Sequence, residues 1–576
     1  MRVAVVPGPE NSCWLCELAE DGGREGTAVW REDIKAAVAT REQAGDVRWV
    51  WAAAGEVYPA LLRAGVRVER CHDVALTEAL LLAREAQPGQ PASLAGAWAR
   101  LRGAAAPAER TQRTAVAGQE ALFEPVNPVF SSPDEEMGAL IAVHADQVRR
   151  IAADEHPARF GLLAAAESAT GLAAAEMAFW GLPWRADVHD GLLAGLLGPR
   201  PAPGLRPARL ASLAARISDA FGGRPVNPDS PSQVLKALAA DGVRVLSTRS
   251  QVLRGVDHPA VPLLLEYKEL TRVHAAHGWA WLDGWVSEGR FRPEYVVGGV
   301  VSGRWASRGG GALQIPRVLR RAVVADPGWV LVVADAAQLE PRVLAALSGD
   351  RALAAAAGTG DLYQALAGAF GGDRAKAKIA MLSAMYGGAA GEALQLLAVM
   401  RHRFPLAARY VETAARAGEE GRVVRSRLGR TCPPPSAAWR GLTATPDDPD
   451  ASEPQAGRSM RARGRFTRNF VVQASAADWA TVLLAGLRRG LAKIDTPNGT
   501  GCPPTATRDP RGGAGQAQLV FFQHDEVIVH CPQALAPQVV TVIGDAAGEA
   551  GRLVFGQTPV RFPVTTAVVT SYADAK

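Results

Sequence analysis

The clearest hydrophobic pattern in the chain is an unbroken apolar run at 330–334, rich in β-branched side chains, that ends on Asp335. Such a run predicts a strand that is buried on both faces. A helical pattern follows and continues through Leu347. We therefore predict a rigid strand that presents the Asp335 carboxylate at its end, directly before a helix.

A second pattern, at 519–531, places two apolar arms on either side of His524, Asp525 and Glu526. Two apolar runs around a short polar segment predict a β-hairpin, whose tip here carries two carboxylates. A carboxylate at a strand end suits a hard cation such as Mg²⁺, although Asp335 alone could equally cap the following helix. Carboxylates on two adjoining strands favour the cation, because they form the usual cradle for two-metal phosphoryl transfer.

One face of a predicted helix at 373–388 carries four side chains at four-residue steps, Arg374, Lys378, Leu382 and Tyr386. Residues spaced in this way lie on one side of a helix. The two cations suit a triphosphate, with arginine as a fork and lysine as a point charge. A solvated basic edge, with the tyrosine as core filler, explains the same pattern.

The remaining patterns outline the rest of the chain. Residues 1–165 contain predicted strands at 3–6, 49–51 and 66–68 among helical segments, which is typical of an α/β domain. Residues 166–290 are predicted to be mostly helical. Two stretches rich in Pro, Gly, Asp and Thr, 431–464 and 495–516, predict surface loops.

Composition narrows the class of protein only a little. A length of 576 residues predicts two to four compact units. The formal net charge of +5 permits nucleic-acid binding without demonstrating it. Cys13 and Cys16 form one CxxC pair without a second pair, so a reduced cytoplasmic protein is expected rather than a zinc site. No apolar stretch of about 18 residues is evident, so no membrane span is predicted.

Several of these segments together resemble the motifs of family A DNA polymerases, the bacterial DNA polymerase I class. The segment from Asp335 to Arg342 is similar to the first motif, the helix with Arg374 and Lys378 to the second, and His524-Asp525-Glu526 to the third. Further similar segments are Asn227-Pro228-x-Ser230-x-x-Gln233, Ser302-Gly303-Arg304, Leu313-Gln314-Ile315-Pro316, and Arg465-x3-Asn469-x3-Gln473. For the last of these, an ordinary polar helix face is the alternative.

The resemblance implies an α+β multidomain fold. An RNase H-like α/β domain at 1–165, a degenerate 3′–5′ exonuclease, would precede a right-hand polymerase body at 166–576. Within that body the thumb would lie at about 166–290, the palm at about 291–345 and 465–576, and the fingers at about 346–464. The first strand lacks the Asp-x-Glu that the exonuclease needs, so no proofreading is expected. No flap-nuclease domain is expected in a chain of this length.

The resemblance also implies the residues of the site and their roles. The catalytic residues would be Asp335, Asp525, Glu526 and Lys378, and two Mg²⁺ ions, with Mn²⁺ as a substitute, would be held by Asp335, Ala336 and Asp525. The dNTP would contact Arg374, Lys378, Leu382, Tyr386, Gln338, Glu340 and Tyr363. DNA would contact Arg304, Gln314, Arg465, Asn469, Gln473 and His524.

Three departures from the family motifs bear on these roles. Ala336 and Ala337 replace Tyr-Ser, Leu382 replaces an aromatic residue, and Tyr363 replaces a histidine. Because tyrosine carries no positive charge at neutral pH, weaker nucleotide binding is expected.

The function implied is DNA-directed DNA synthesis in replication or repair by a nucleotidyltransferase. It would act on primer-template or gapped duplex DNA with dNTPs, as a cytoplasmic, nucleoid-associated monomer with no membrane partner. Two alternatives remain open: a non-catalytic DNA-binding scaffold, and a residual 3′–5′ exonuclease in the N-terminal domain.

Overall fold

The computed structural model describes residues 1–107, 130–308, 314–358, 360–387, 392–443, 453–494 and 515–575. The chain divides into two compact units. The larger contains Met1–Trp180, Tyr295–Ala306 and Val332–Ala567, and the smaller contains Gly181–Glu294, Ser307–Leu331 and Val568–Lys576. The subdivision of the polymerase body into thumb, palm and fingers stays a prediction. The loop predicted at 495–516 lies, except for its last two residues, outside the described residues.

The strands are short and spread along the whole described chain. They are β1 Arg2–Pro7, β2 Cys13–Leu18, β3 Val29–Arg31, β4 Arg48–Trp51, β5 Cys71–Asp73, β6 Leu182–Pro183, β7 Val286–Ser287, β8 Arg290–Phe291, β9 Glu294–Val296, β10 Ala306–Arg308, β11 Trp329–Ala336, β12 Gln518–Gln523, β13 Glu526–Pro532 and β14 Val564–Val569.

The helices make up most of the ordered structure. They are α1 Ile34–Ala44, α2 Ala54–Arg63, α3 Val74–Arg84, α4 Leu94–Leu101, α5 Pro133–Ala152, α6 Pro157–Trp180, α7 Ala186–Leu197, α8 Ala208–Ala220, α9 Pro231–Ala240, α10 Ser250–Leu253, α11 Ala260–His277, α12 Trp279–Trp285, α13 Leu339–Ser348, α14 Arg351–Ala357, α15 Leu362–Leu366, α16 Arg374–Tyr386, α17 Glu392–Arg403, α18 Pro405–Glu419, α19 Ala437–Thr443, α20 Glu453–Leu491 and α21 Ala536–Phe555.

The N-terminal part of the larger unit is built on a five-stranded sheet in the order β3-β2-β1-β4-β5. Strand β1 runs parallel to β4 and β4 parallel to β5, whereas β2 is antiparallel to both of its neighbours. Cys13 and Cys16, on β2, belong to different core clusters, because residues three apart in a strand point to opposite faces. These two thiols therefore cannot share one metal ion.

The strands predicted at 3–6 and 49–51 are confirmed by β1 and β4. The strand predicted at 66–68 is wrong, because the chain forms its next strand only at β5. Val66 and Val68 are nevertheless buried in the core beside that sheet. The alternation of apolar and polar residues at 66–68 thus reflects side chains that are buried in the core without pairing in a strand.

Most of a second, four-stranded sheet also lies in the larger unit, in the order β12-β13-β11-β14. Strands β12 and β13 form the predicted antiparallel hairpin, with a register shift between Leu519 and Phe521. Residues 330–334 are buried along β11. The sequence therefore predicted both carboxylate-bearing strands correctly.

The smaller unit is a set of helices, α7 to α12, with a three-stranded sheet in the order β6-β8-β7. Its core includes Leu193, Leu238 and Tyr267, all nearly inaccessible to solvent. The predicted turn and cap before α9 are present: the Ser230 hydroxyl accepts a hydrogen bond from the Gln233 amide, at 3.4 Å.

The surface loop predicted at 431–464 is wrong in part. Helix α19 lies within it, and α20 already begins at Glu453. The residues at 455–463 are rich in Gln, Ala, Met and Arg, which are good helix formers, and these outweigh the flanking loop residues.

Two helices are longer and more apolar than the sequence patterns indicated. Pro157–Trp180 and Gln455–Leu491 reach the length and hydropathy of a membrane span. Their most apolar windows are 61% and 83% buried inside the fold, so the apolar surface is already covered by protein. Both behave here as core helices.

A buried ion cluster joins the N-terminal sheet region to α6 and α20. Glu176 accepts hydrogen bonds from the Tyr58 hydroxyl at 2.7 Å, from Arg67 Nε at 3.1 Å and from Arg488 Nε at 2.9 Å. Burial would raise the pKa of Glu176, but the charges of Arg488 and Arg67 lower it to about 2. The carboxylate is therefore ionised in the folded protein at neutral pH.

Replacing Glu176 by Gln is expected to destabilise the fold by about 3 kcal/mol at pH 7, because a pKa depressed below its unfolded value stabilises the protein above that value. The deficit should be roughly halved at pH 3, and vanish as the pH falls through the folded pKa. Urea-unfolding midpoints at both pH values measure it. The matched control is Glu420→Gln, in an exposed pair with Arg422, which should change little; equal deficits at both pH values would contradict the assignment.

Candidate active site

Strand β11 delivers Asp335 to its carboxyl end, where the side chain is half-buried. The next residue, Ala336, donates its backbone N–H to the carbonyl of Asp525 at 3.0 Å. The following amide, of Ala337, donates to the carbonyl of Pro563 at 3.1 Å. Strand β11 is thus pinned on both sides at the point where it carries its carboxylate.

The hairpin tip supplies the second carboxylate. His524 has a left-handed backbone with φ of +56°, which turns the chain between β12 and β13. Asp525 is half-buried, and Glu526, the first residue of β13, is only 5% exposed. Neighbouring strands lie about 5 Å apart, so the bond from Ala336 to Asp525 brings the backbone at Asp335 and the backbone at Asp525 together at one edge of the sheet.

The donor set at this edge fits a hard divalent cation. Two half-buried carboxylates, a buried glutamate and backbone carbonyls are oxygen ligands, which Mg²⁺ prefers, and Mg²⁺ typically takes one or two carboxylates together with substrate phosphates. The described residues contain no cluster of three or more acidic, histidine or cysteine side chains arranged as a complete metal cage.

A second group of residues centres on Glu340. Its carboxylate accepts hydrogen bonds from the Arg304 guanidinium and from the Tyr386 hydroxyl, and Tyr386 is also hydrogen-bonded to Gln473. Burial and then the Glu340 contact raise the pKa of Tyr386 to about 12. Four residues predicted separately from four motifs therefore form one connected network.

His524 lies next to this network. Burial and the nearby Arg304 charge lower the pKa of His524, against an opposing effect of Glu340. The imidazole is therefore neutral at pH 7 and available as a hydrogen-bond partner rather than as a cation.

A third group centres on Asp361, a residue that the sequence reasoning missed. Its carboxylate accepts hydrogen bonds from Gln338 Nε2 at 2.8 Å and Arg374 Nε at 2.9 Å. It also caps α15 through two backbone amides. Partial burial opposes ionisation, but the bonds from Arg374, the Gln364 amide and Gln338 lower the pKa of Asp361. The position of Asp361 directly before a short helix was the available signal.

Of the residues predicted on the cationic face of α16, Arg374 contacts other side chains, whereas Lys378 is exposed to solvent. The Arg374 guanidinium lies over the Tyr363 ring at 5.6 Å from its centre. Lys378 is exposed and has no ion pair within the described part of the chain, and Leu382 is half-buried. Lys378 and Leu382 thus remain accessible to a ligand.

The predicted DNA-contacting residues fall into two places. Arg465 is exposed on α20 beside the end of α16, where its Cγ lies 3.3 Å from the position of a Cβ on Gly387. Further along α20, Asn469 Oδ1 is buried and accepts no hydrogen bond from the described residues. Gln314 instead belongs to the smaller unit, where Arg272 donates to it at 3.3 Å.

A buried charge triad supports the loop that carries Arg304. The Arg430 guanidinium pairs with Glu167 at 2.9 Å and with Asp478 at 3.4 Å, and all three side chains are at most 6% exposed. Gly303 packs directly on this guanidinium: a Cβ there would lie 2.2 Å from Arg430 Nε, and its φ is +84°. None of the three charged residues was assigned a role from the sequence.

Known families and proteins share sequence with this chain. A family model described as DNA polymerase family A matches residues 206–574. DNA polymerase I of Chloroflexus aurantiacus is 27% identical over 369 residues, which cover 56% of this chain and 35% of that protein. The thermostable DNA polymerase I of Thermus thermophilus is 36% identical over 120 residues, 19% of this chain and 14% of that protein. This chain thus matches at most about a third of the length of these relatives.

Among solved structures, the POL domain of Pol1 from M. smegmatis, in complex with DNA primer-template and dNTP, matches with a TM-score of 0.71. The match covers 100% of this chain and 96% of that one at 18% identity. At this level of identity the likeness shows a shared fold, and it confirms the predicted α+β class in its coarse form.

Replacing Gly303 by Ala is expected to lower the thermal unfolding midpoint, with a cost of about 1–3 kcal/mol from the backbone alone, because the new methyl group also meets Arg430. The matched control is Gly138→Ala, in an exposed position of α5 with open space around it, which should raise stability by up to about 1 kcal/mol. Scanning calorimetry compares the two. Equal midpoints for both variants would argue against the close approach of Gly303 to Arg430.

Proposed function

Because the chain belongs to DNA polymerase family A, we propose that it is a DNA-directed DNA polymerase that adds dNTPs to the 3′-hydroxyl of a primer. The observation that carries this proposal is the hydrogen bond between Ala336 and Asp525, which joins two carboxylate-bearing strand ends. The named relatives are DNA polymerases I, and the structurally similar domain was solved with primer-template and dNTP.

Asp335 and Asp525, with the carbonyl of Ala336, would hold two Mg²⁺ ions, for which Mn²⁺ is the substitute. Bound there, the ions would lower the pKa of the primer hydroxyl and stabilise the charge on the leaving oxygens. Glu526, buried at the start of β13, would tune the electrostatics of the metal site.

Arg374 and Lys378 bind the phosphates of the incoming nucleotide. In this proposal Lys378 neutralises the charge that develops on the leaving pyrophosphate and gives it a proton. Arg374 is held by Asp361 in the structure, so nucleotide binding exchanges one anionic partner of this guanidinium for another. Gln338, the other side-chain donor to Asp361, and Tyr363 border the same space.

The Glu340 network borders the sugar and the base pair. In this proposal Glu340 closes the pocket against a ribose 2′-hydroxyl, and Tyr386 stacks beside the templating base. Arg304, Gln473 and His524 face the primer end, and Arg465 and Asn469 the template. Because Leu382 offers no aromatic ring, discrimination at the sugar 3′ position is weaker than an aromatic residue would provide.

The N-terminal domain is proposed to be an RNase H-like domain that lacks proofreading. The fold is supported by its five-stranded sheet, in which β2 alone runs antiparallel to the other strands. Its buried aspartate, Asp73, is engaged structurally: it caps α3 through the Leu76 amide at 2.9 Å and accepts the Ala54 amide at 2.7 Å. A carboxylate used in this way is withheld from a metal ion.

Asp525→Asn is expected to lower the rate of primer extension with Mg²⁺ by about a hundredfold or more, while primer-template affinity stays within about threefold, because the carboxylate acts on the chemical step. Single-nucleotide incorporation and fluorescence anisotropy measure the two quantities. The matched control, Asp545→Asn on the exposed side of α21, should behave as wild type. A wild-type chain that binds the duplex without extending it would favour the scaffold alternative.

Lys378→Ala is expected to slow incorporation by about a hundredfold at saturating dNTP, since a cation opposite the leaving group is lost. The control is Lys376→Ala, which changes a lysine two positions along the same helix and therefore on another face. Rapid-quench kinetics provide the rates. Equal rates for the two variants would remove Lys378 from the triphosphate site.

A 5′-labelled single-stranded primer incubated with wild-type protein and Mg²⁺, without dNTPs, is expected to stay intact at its 3′ end. Denaturing gel electrophoresis detects single-nucleotide shortening. Shortening that persists in Asp525→Asn would establish a separate exonuclease site in the N-terminal domain.

A further inference from the structure

The larger unit contains a cavity of about 270 Å³ whose lining does not include the carboxylates of Asp335, Asp525 or Glu526. It is lined by the end of α3, the α5–α6 connection, the end of α13, α18 and the segment 425–429. None of the residues predicted for the polymerase site lines it. Four of its twelve lining residues are arginines, namely Arg84, Arg159, Arg425 and Arg427.

The charges in this wall do not balance. Four guanidinium groups face two carboxylates, Asp154 and Glu155, which leaves a formal surplus of two positive charges. Asp154 is already committed to Arg84, with bonds of 2.6 Å and 3.0 Å. Glu155 is shared weakly, at 4.0 Å from Arg84 and 3.8 Å from Arg425.

The remaining two arginines carry the surplus. Arg159 forms no side-chain hydrogen bond or ion pair within the described residues. The guanidinium of Arg427 donates one hydrogen bond there, from Nε to the carbonyl of Val554 at 3.2 Å. Burial and then repulsion from Arg159 lower the pKa of Arg427, and burial and then Arg84 lower the pKa of Arg425. Like charges have therefore been brought together at a cost that an anion would relieve.

The segment that supplies Arg425 and Arg427 is held rigidly. The Arg427 amide donates to the Ser475 hydroxyl at 2.9 Å, and the Leu428 amide donates to Asp478 at 3.1 Å. Both acceptors lie on α20. Anchoring of this kind positions guanidinium groups before a ligand arrives, which reduces the entropy lost on binding.

We propose that this cavity is a binding site for a phosphate-class dianion, held by Arg159 and Arg427 with Arg84 and Arg425 at its rim. The surplus of two positive charges matches a phosphate group, and arginine binds phosphate oxygens through paired N–H donors. The Tyr410 ring and the Leu347 side chain also line the cavity. They offer an apolar surface to an organic remainder such as a nucleoside.

Isothermal titration calorimetry of the full chain, without DNA and with EDTA, tests the proposal with inorganic phosphate, pyrophosphate and dAMP as probes. One site is expected, and Arg159→Glu and Arg427→Ala should each weaken it at least about tenfold. Arg427→Lys should recover part of the loss. A tighter fit of dAMP than of inorganic phosphate would identify a nucleotide-type ligand, and equal affinities a free phosphate.

Two controls separate this cavity from the proposed triphosphate site. Arg409→Ala changes an exposed arginine next to Tyr410 that does not line the cavity, and it should leave binding unchanged. Lys378→Ala should also leave it unchanged. If Lys378→Ala abolishes binding, if the cavity variants do not weaken it, or if no probe binds wild type, the proposal is wrong. Should Arg427→Ala fail to fold, Arg159→Glu decides alone, because Arg159 supports no other described side chain.

Discussion

The pairing of β11 with the tip of the β12–β13 hairpin is the constraint on which the candidate site depends. One backbone hydrogen bond, from Ala336 to Asp525, fixes the separation of two carboxylates that are almost two hundred residues apart in sequence. The apolar runs on either side bury both strands, so the pairing cannot slip by one residue without turning core side chains outward. The polar edge of this sheet is thus positioned by its hydrophobic interior.

Buried charges form the second level of organisation. The triad of Arg430, Glu167 and Asp478 holds the loop of Arg304, which reaches Glu340 and through it Tyr386. A buried guanidinium is costly unless its donors are paired, so the triad permits one arrangement of that loop. Buried ion pairs outside the predicted site thus support the loop that carries Arg304.

The sequence predicted those features that depend on local pattern. Strands β11, β12 and β13 and helix α16 followed from apolar runs and four-residue spacing, since burial of a whole strand or of one helix face leaves a readable trace. The network around Glu340 did not follow from local pattern, because Glu340 and Tyr386 are 46 residues apart and only packing of α13 against its neighbours brings them together. Arg430 was missed for the same reason, whereas the position of Asp361 directly before a short helix was a local signal. The start of α20 at Glu453 was missed because the segment 431–464 has the overall composition of a loop, although its last residues are good helix formers.

The cluster around Glu176 has a consequence for where this protein can be divided. Arg488 donates to the backbone carbonyls of Val68 and Glu69 as well as to Glu176, so a helix late in the chain completes the hydrogen bonding of a segment near its beginning. In a fragment that starts after residue 165, the Arg488 guanidinium would lose these two carbonyl acceptors. The first 165 residues thus supply a hydroxyl, a guanidinium and two carbonyl acceptors that complete the bonding of the buried pair of Glu176 and Arg488, and a cut at that point would uncover the pair.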